Sequence, residues 1–194
     1  MPGRGGDNAP AKCSACRDSR RSKLVNKLLY DESDAKGEPY TITYARNWST
    51  IWTNILIGRN GGLERRSRIN REGMQKYLRD SFVRNKPYDR MVYELVTATE
   101  NTTPGEDGFN GATNFLVMKL DENPAQATAM TSKIFLGLQV QCTQWHNHPF
   151  NGWKQQKFWE SNAFFRQTQA TARMSKENRR EIESAQLINR DFRG

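Results

Sequence analysis

Two histidines and one cysteine lie within a short segment of this chain, and their types and spacing favour metal or haem chemistry. Cys142 precedes His146 by four positions in the run C-T-Q-W-H, and His148 follows two positions later. The run differs at one position from C-x-x-C-H, in which two thiols attach a c-type haem and the histidine binds its iron. Trp145 stands where the second thiol would be. The segment therefore predicts a haem-type motif that lacks one of its two attachment points.

A zinc site is another interpretation of these side chains. Cys13 and Cys16 form a C-x-x-C pair that is followed by an arginine instead of a histidine. Zinc takes four Cys or His ligands, so this pair could be completed by Cys142 with His146 or His148. The two halves are far apart in the sequence, and zinc ranks below the degenerate haem motif for that reason.

A purely structural interpretation of the segment is favoured by the spacing alone, since Trp145 interrupts the motif. Cys142 would then be a small buried residue beside a histidine that hydrogen-bonds in a turn. In this case Trp145 would pack against an aromatic helix at Phe158 and Trp159.

Patterns for nucleophilic catalysis do not occur in the sequence. It contains no G-x-S-x-G segment, and its carboxylates are scattered. These observations favour a non-catalytic protein over an enzyme.

The net charge of +9 indicates an acidic partner more than it indicates a nucleic acid. The segment from Arg59 to Lys86 holds nine Lys and Arg against three Asp and Glu. A basic face of this kind suits phosphate, an acidic polysaccharide or an acidic protein. The simpler interpretation, which we favour because no nucleic-acid motif accompanies the charge, is a basic face that is only solvated. No apolar run approaches the ~20 residues of a membrane span.

The elements that must position these residues are predicted to be helices. Apolar residues at helical spacing predict an all-α fold of six or seven helices, and no strand pattern competes. The predicted helices begin near Arg20, Tyr40, Asn70, Asp89, Pro124, Lys154 and Lys176, and the last of them ends near Asn189.

Local signals predict where three of these helices start. Asn70 and Asp89 are predicted N-caps, and Pro124 suits the first turn of a helix. If the helix that starts at Pro124 continues far enough, Cys142 lies on its buried stripe. Residues 1–19, which are rich in Gly, Pro and polar residues, are predicted to be a disordered tail, with residues 20–194 forming the helical domain.

One core is predicted for this domain, built on aromatic and aliphatic side chains of several helices. Its predicted members are Trp48, Trp52, Phe135, Leu138, Trp159 and Phe165.

The run FLGLQVQCTQWHNHPFNGWKQQKFWESNAFF resembles the signature of a planctomycete cytochrome-type domain of unknown function, the second of the planctomycete cytochrome modules. That family typically reads FLG-x-Q-x-QC-x-QCHNHPF-(D/N)-x-W, followed by a polar stretch and an aromatic-rich helix that ends in AFF. The segments KLVNKLL, NWSTIWTNILIGRN, NKPYDRMVYELVTATE and NGATNFL fit the family as well. The resemblance runs from about Leu24 to Thr168.

The resemblance implies an all-helical domain of unknown molecular function in large exported bacterial proteins. It places the family's first haem-type cysteine at Cys142, its iron-binding histidine at His146, and its second cysteine at Trp145, a departure that argues against covalent attachment of haem c. Other domains or proteins of the same exported system are the expected partners, and the expected location is exported or periplasmic. The family's usual signal peptide and downstream domain are missing from this sequence, so the chain resembles a truncated or fragmentary member.

Overall fold

The structure, a computed structural model, divides the chain into two compact units, Met1–Thr43 and Tyr44–Gly194. It describes residues 14–29, 39–64, 67–120, 123–174 and 182–189. Residues 1–13 of the predicted tail lie outside the described residues.

The first unit contains α1 (Ser14–Leu29) and the beginning of α2 (Tyr40–Ile57). Within this unit the ammonium group of Lys27 lies 5.6 Å from the centroid of the Tyr40 ring, which is a cation–π contact.

The second unit contains the remainder of α2 and all later described elements. These elements are α3 (Arg71–Val83), α4 (Tyr88–Thr97), β1 (Glu100–Asn101), α5 (Thr113–Leu120), α6 (Pro124–Leu136), a 3₁₀ helix (Gln141–Gln144), α7 (Gln155–Arg166), β2 (Thr168–Met174) and β3 (Ile182–Asn189). The prediction of a mostly helical fold is confirmed.

Two helix starts follow their predicted signals and one does not. The side chain of Asn70 accepts a hydrogen bond from the backbone of Gly73 and caps α3, as predicted. Pro124 occupies the first turn of α6, which Asn123 caps through a bond from the backbone of Ala125. The predicted cap of α4 is wrong, because the helix begins at Tyr88 and Asp89 lies inside its first turn. An acidic side chain in that position is still favourable near the positive end of the helix dipole.

The end of α6 determines the position of the Cys–His segment, which runs from Cys142 to His148. Gly137 follows the helix with φ of 68°, a left-handed conformation that glycine adopts at little cost and that ends the helix. Cys142 is therefore not on the buried stripe of α6, and it belongs to the separate 3₁₀ helix instead.

Among the described residues, the buried apolar side chains form two clusters and not the single core that was predicted. The larger cluster joins α2–α5 and β3, and its largest fully buried members are Phe115, Leu56, Ile57, Met74, Leu78, Leu95, Leu187 and Val117. The smaller cluster consists of Ala125, Ala129, Val140 and Phe158, with Leu138 and Trp153 packed against them.

The predicted core members divide between these clusters, and two of them do not belong to either. Trp52, Phe135 and Phe165 pack against the larger cluster, and Leu138 packs against the smaller one. Trp48 and Trp159 are 39% and 44% exposed, so their assignment to the core is wrong.

The face of α2 that is buried explains the error at Trp48. Ala45, Ser49 and Thr53 recur every four residues and are buried, whereas the ring of Trp48 lies at the margin, 6.2 Å from the ring of Tyr44. Up to Thr53, the buried face of α2 is thus formed by small side chains and not by the aromatic stripe that was predicted.

The prediction of a last helix from Lys176 to Asn189 is wrong for residues 182–189, the part that the structure describes, because these residues form strand β3. β3 pairs antiparallel with both β1 and β2, in the order β1-β3-β2. Ala185 and Leu187 are buried while Gln186 and Ile188 are exposed, which is the two-residue alternation of a strand with one covered face.

α5 is a helix that the periodicity of the sequence does not indicate. Its residues from Thr113 to Val117 are all buried. A helix that is buried on every side shows no contrast between an apolar and a polar face, and that contrast is the signal on which helix prediction depends.

Candidate functional site

The 3₁₀ helix that carries Cys142 is held in place by its buried neighbour Thr143. Thr143 is fully buried, and both its backbone N–H and its hydroxyl donate to the carbonyl oxygen of Val140, at 2.9 and 2.5 Å. The backbone N–H of Trp145 donates to the carbonyl of Cys142 at 3.2 Å. The buried threonine fixes the turn, and the residues on either side of it are left partly or fully exposed.

Cys142 lines a cavity of about 530 Å³. This volume lies within the roughly 300–1,000 Å³ range typical of small-molecule and cofactor sites. The thiol is free and half-buried. The cavity is formed by the end of α6, the loop after it and the 3₁₀ helix, and its lining residues are Ala129, Met130, Lys133, Gln139, Val140, Gln141, Cys142, Gln144 and Trp145.

Trp145 is 80% exposed, although it is one of the largest apolar side chains in the chain. The structural interpretation placed it against Phe158 and Trp159, and this placement is wrong. Those two residues instead stack edge-to-face on each other, with ring centroids 5.3 Å apart. Trp145 therefore contributes its indole to the cavity wall and to the surface, and not to the core.

His146 is held so that one ring nitrogen is available to a metal. Its Nδ1 atom lies 2.7 Å from the carbonyl oxygen of Asn147. A carbonyl can only accept, so in the neutral ring Nδ1 carries the proton and Nε2 keeps its lone pair. Metal-binding histidines usually donate their other ring N–H to a carbonyl or carboxylate in this manner. His146 is exposed and does not itself line the cavity.

His148 has the opposite arrangement. Its Nδ1 accepts a hydrogen bond from the backbone N–H of Phe150 at 3.2 Å, so its neutral ring carries the proton on Nε2. Its own backbone N–H donates to the carbonyl of Trp153 at 2.8 Å. His148 thus stabilises the turn that leads into α7, and His146 is the better placed of the two to bind a metal.

Gln155 connects the Cys–His segment to α7, and the sequence analysis did not identify it. Its side-chain amide donates to the carbonyl of Gln144 at 2.9 Å, and its backbone N–H donates to the side-chain oxygen of Asn147 at 3.0 Å. These two bonds tie Gln144 and Asn147, the residues on either side of Trp145 and His146, to the first residue of α7. A glutamine has no spacing signature, and only the fold reveals this contact.

The zinc interpretation stays a prediction, because one of its proposed ligands lies outside the described residues. Cys13 lies outside the described residues, and Cys16 lies in α1 of the first unit. Among the residues that the structure does describe, no group of three or more His, Cys, Asp and Glu side chains is arranged to hold a metal ion.

The basic segment from Arg59 to Lys86 is only partly a surface feature. The guanidinium of Arg71 donates to the carbonyl oxygens of Gly58 and Gly61 and to the side chain of Asn54, so this cation closes the loop between α2 and α3. The cations that remain exposed on α3 and just after it are Lys76, Arg79 and Arg84. Within the described part of the chain, no helix is both long and apolar enough to cross a membrane.

The fold and the site together define a mostly helical domain with a Cys–His segment beside a cavity. Residues 8–170 match the family model PSCyt2, described as a protein of unknown function (DUF1549). The match covers most of the chain, which therefore belongs to this family. None of the curated proteins and none of the solved structures matches the chain.

Proposed function

We propose that this chain is a non-catalytic, redox-accessory module of an exported bacterial system, with a c-type haem motif that has become degenerate. The observation that carries the proposal is the contact between Nδ1 of His146 and the carbonyl of Asn147, at 2.7 Å. This contact leaves Nε2 of an exposed imidazole free to bind iron.

The residues around Cys142 fit part of a haem. Ala129, Met130 and Val140 give the cavity an apolar wall, and Lys133 supplies a cation suited to the acidic groups of a porphyrin. The Cys142 thiol is accessible from this cavity and can form one thioether bond. When bound, the iron would supply one-electron redox chemistry.

Trp145 is the part of the site that does not fit covalent attachment. An indole has no thiol to add to a vinyl group, and it is much bulkier than the cysteine of a complete motif. We therefore expect the natural chain to hold little or no covalent haem, while His146 keeps the ability to bind iron.

Titration of the purified chain with haemin tests this proposal. We expect an absorption spectrum of imidazole-bound iron in the natural chain, and loss of that spectrum in His146→Ala. His148→Gln is the matched control, because it removes the neighbouring imidazole and keeps a side-chain acceptor for Phe150. An unchanged spectrum in His146→Ala, or an equal loss in both variants, would contradict the role assigned to His146.

A second candidate function is an interaction domain without a cofactor, which uses its basic face to bind an acidic partner from the same exported system. The exposed cations Lys76, Arg79 and Arg84 favour a basic binding face. Large apolar side chains beside the Cys142–His148 segment add a second exposed surface, with Trp145 80% and Phe150 92% exposed. Exposed aromatic residues of this size are typical of interaction surfaces. A featureless spectrum after haemin titration would favour this candidate over the first. Zinc binding ranks third, because it depends on Cys13 and Cys16.

A further inference from the structure

A second cavity, of about 260 Å³, is lined by residues of α3 and of the turn after it, by Glu94 of α4 and by the loop at 109–111. It shares no lining residue with the cavity at Cys142. Three of its lining residues are cations, namely Lys76, Arg84 and Lys86, and two are carboxylates, Asp80 and Glu94. The lining therefore carries one net positive charge.

Lys86 and Glu94 form an ion pair with each other. The ammonium of Lys86 lies 2.5 Å from Oε2 of Glu94 and 4.8 Å from the centroid of the Tyr77 ring. The hydroxyl of Tyr77 donates to the same Glu94 oxygen at 2.9 Å. This closed network fixes one wall of the cavity and leaves little of the Glu94 charge for other cations.

Within the part of the chain that the structure describes, the remaining cations of the cavity, Lys76 and Arg84, have no such partner. Neither forms an ion pair within the described residues. Asp80 lies four positions in the sequence from each of them, yet among the described residues it forms an ion pair with neither. Two exposed cations thus border the same cavity as the Lys86–Glu94 ion pair and can turn towards an anion.

We propose that this cavity binds a carboxylate group, with Lys76 and Arg84 as its charged contacts. The planar guanidinium of arginine matches the two oxygens of a carboxylate, and a single negative charge balances the net charge of the lining. The carboxylate can belong to an acidic protein segment or to a small free acid. The inference is independent of the haem motif, and it deepens the second candidate function by naming the chemical group that the basic face would recognise.

Calorimetric titration of the intact chain at low salt tests this proposal, with glutarate and a hexaglutamate peptide as probes. We expect saturable binding that weakens about fivefold in Arg84→Gln and in Lys76→Gln, since each partly exposed ion pair contributes up to roughly that factor. Arg79→Gln is the control, because Arg79 is exposed on the same helix and does not line the cavity.

The two probes distinguish the source of the carboxylate. Site-specific binding of glutarate would show that a small free acid suffices, and the inference would then stand even if no protein partner existed. Binding of the peptide alone, with the same dependence on Arg84, would point to an acidic chain. The inference is overturned if neither probe binds, or if Arg79→Gln weakens binding as much as Arg84→Gln does.

Discussion

The side-chain amide of Gln155 donates to the backbone carbonyl of Gln144 at 2.9 Å, so the first turn of α7 holds the end of the 3₁₀ helix that carries Cys142. This bond connects two segments that are 11 residues apart in the sequence. The exposed Trp145 and His146 follow directly after its acceptor, and their position depends on it.

Replacement of Gln155 by alanine is therefore expected to loosen the Cys–His segment. The lost hydrogen bond should lower the free energy of unfolding by about 1 kcal/mol and speed hydrogen exchange at the backbone N–H of Trp145. Gln156→Ala is the matched control, because the Gln156 side chain only reaches the exposed Glu160 on its own helix. Equal exchange rates at Trp145 in the two variants would contradict the assigned role of Gln155.

Two phenylalanines of α7 differ in burial, and their replacement should therefore lower the free energy of unfolding by different amounts. Phe158 is fully buried in the smaller cluster, whereas Phe164 is 74% exposed. Phe158→Ala should lower the free energy of unfolding by about 3–5 kcal/mol, through lost burial and the cavity that is left. Phe164→Ala should lower it by about 0.5 kcal/mol or less. Chemical denaturation measures both, and similar costs would show that the buried face of α7 is assigned wrongly.

The Lys86–Glu94 pair predicts a dependence of stability on pH. Partial burial alone would raise the pKa of the Glu94 carboxyl, but hydrogen bonds from Lys86 and Tyr77 outweigh it and hold the pKa below the ordinary value of 4.5. Burial, and next the bond to Glu94, raises the pKa of the Tyr77 phenol well above its ordinary 10.0, so that phenol remains a donor. The folded state therefore favours the ionised carboxylate, and this stabilisation is lost as the pH falls from 4.5 through the lower pKa of the folded state.

Lys86→Met removes the main group that holds the Glu94 carboxylate ionised. The difference in free energy of unfolding between the natural chain and this variant should be largest near neutral pH and should shrink below pH 4.5. Lys157→Met is the control, because Lys157 and Glu160 form an exposed ion pair that the solvent screens. A difference that stays constant between pH 7 and pH 3 would contradict this account.

Much of the helical fold could be predicted from the sequence, because the signals concerned are local. Asn70 and Pro124 mark helix starts through the chemistry of their own side chains and rings. The final strand could not be predicted in the same way, since β3 forms through pairing with β1 and β2, residues far away in the sequence. The burial of Ala185 and Leu187 follows from that pairing and not from their own preferences.

The candidate site, like the fold, could be predicted from the sequence only in part. The spacing of Cys142 and His146 was visible in the sequence, and the exposure of Trp145 was not, because an aromatic residue near an aromatic helix suggests packing. Only the structure separates His146 from His148, since each histidine's free nitrogen is set by a hydrogen bond to a neighbouring backbone group.

Covalent haem content of the natural chain and of Trp145→Cys tests the central claim most directly. Both proteins would be produced in a host with haem-attachment machinery, denatured and stained for haem, with circular dichroism confirming that both were folded. The account predicts covalent haem in Trp145→Cys and little or none in the natural chain, because the substitution restores the second thiol of the motif. Haem in equal amounts in both proteins, or in neither, would contradict it.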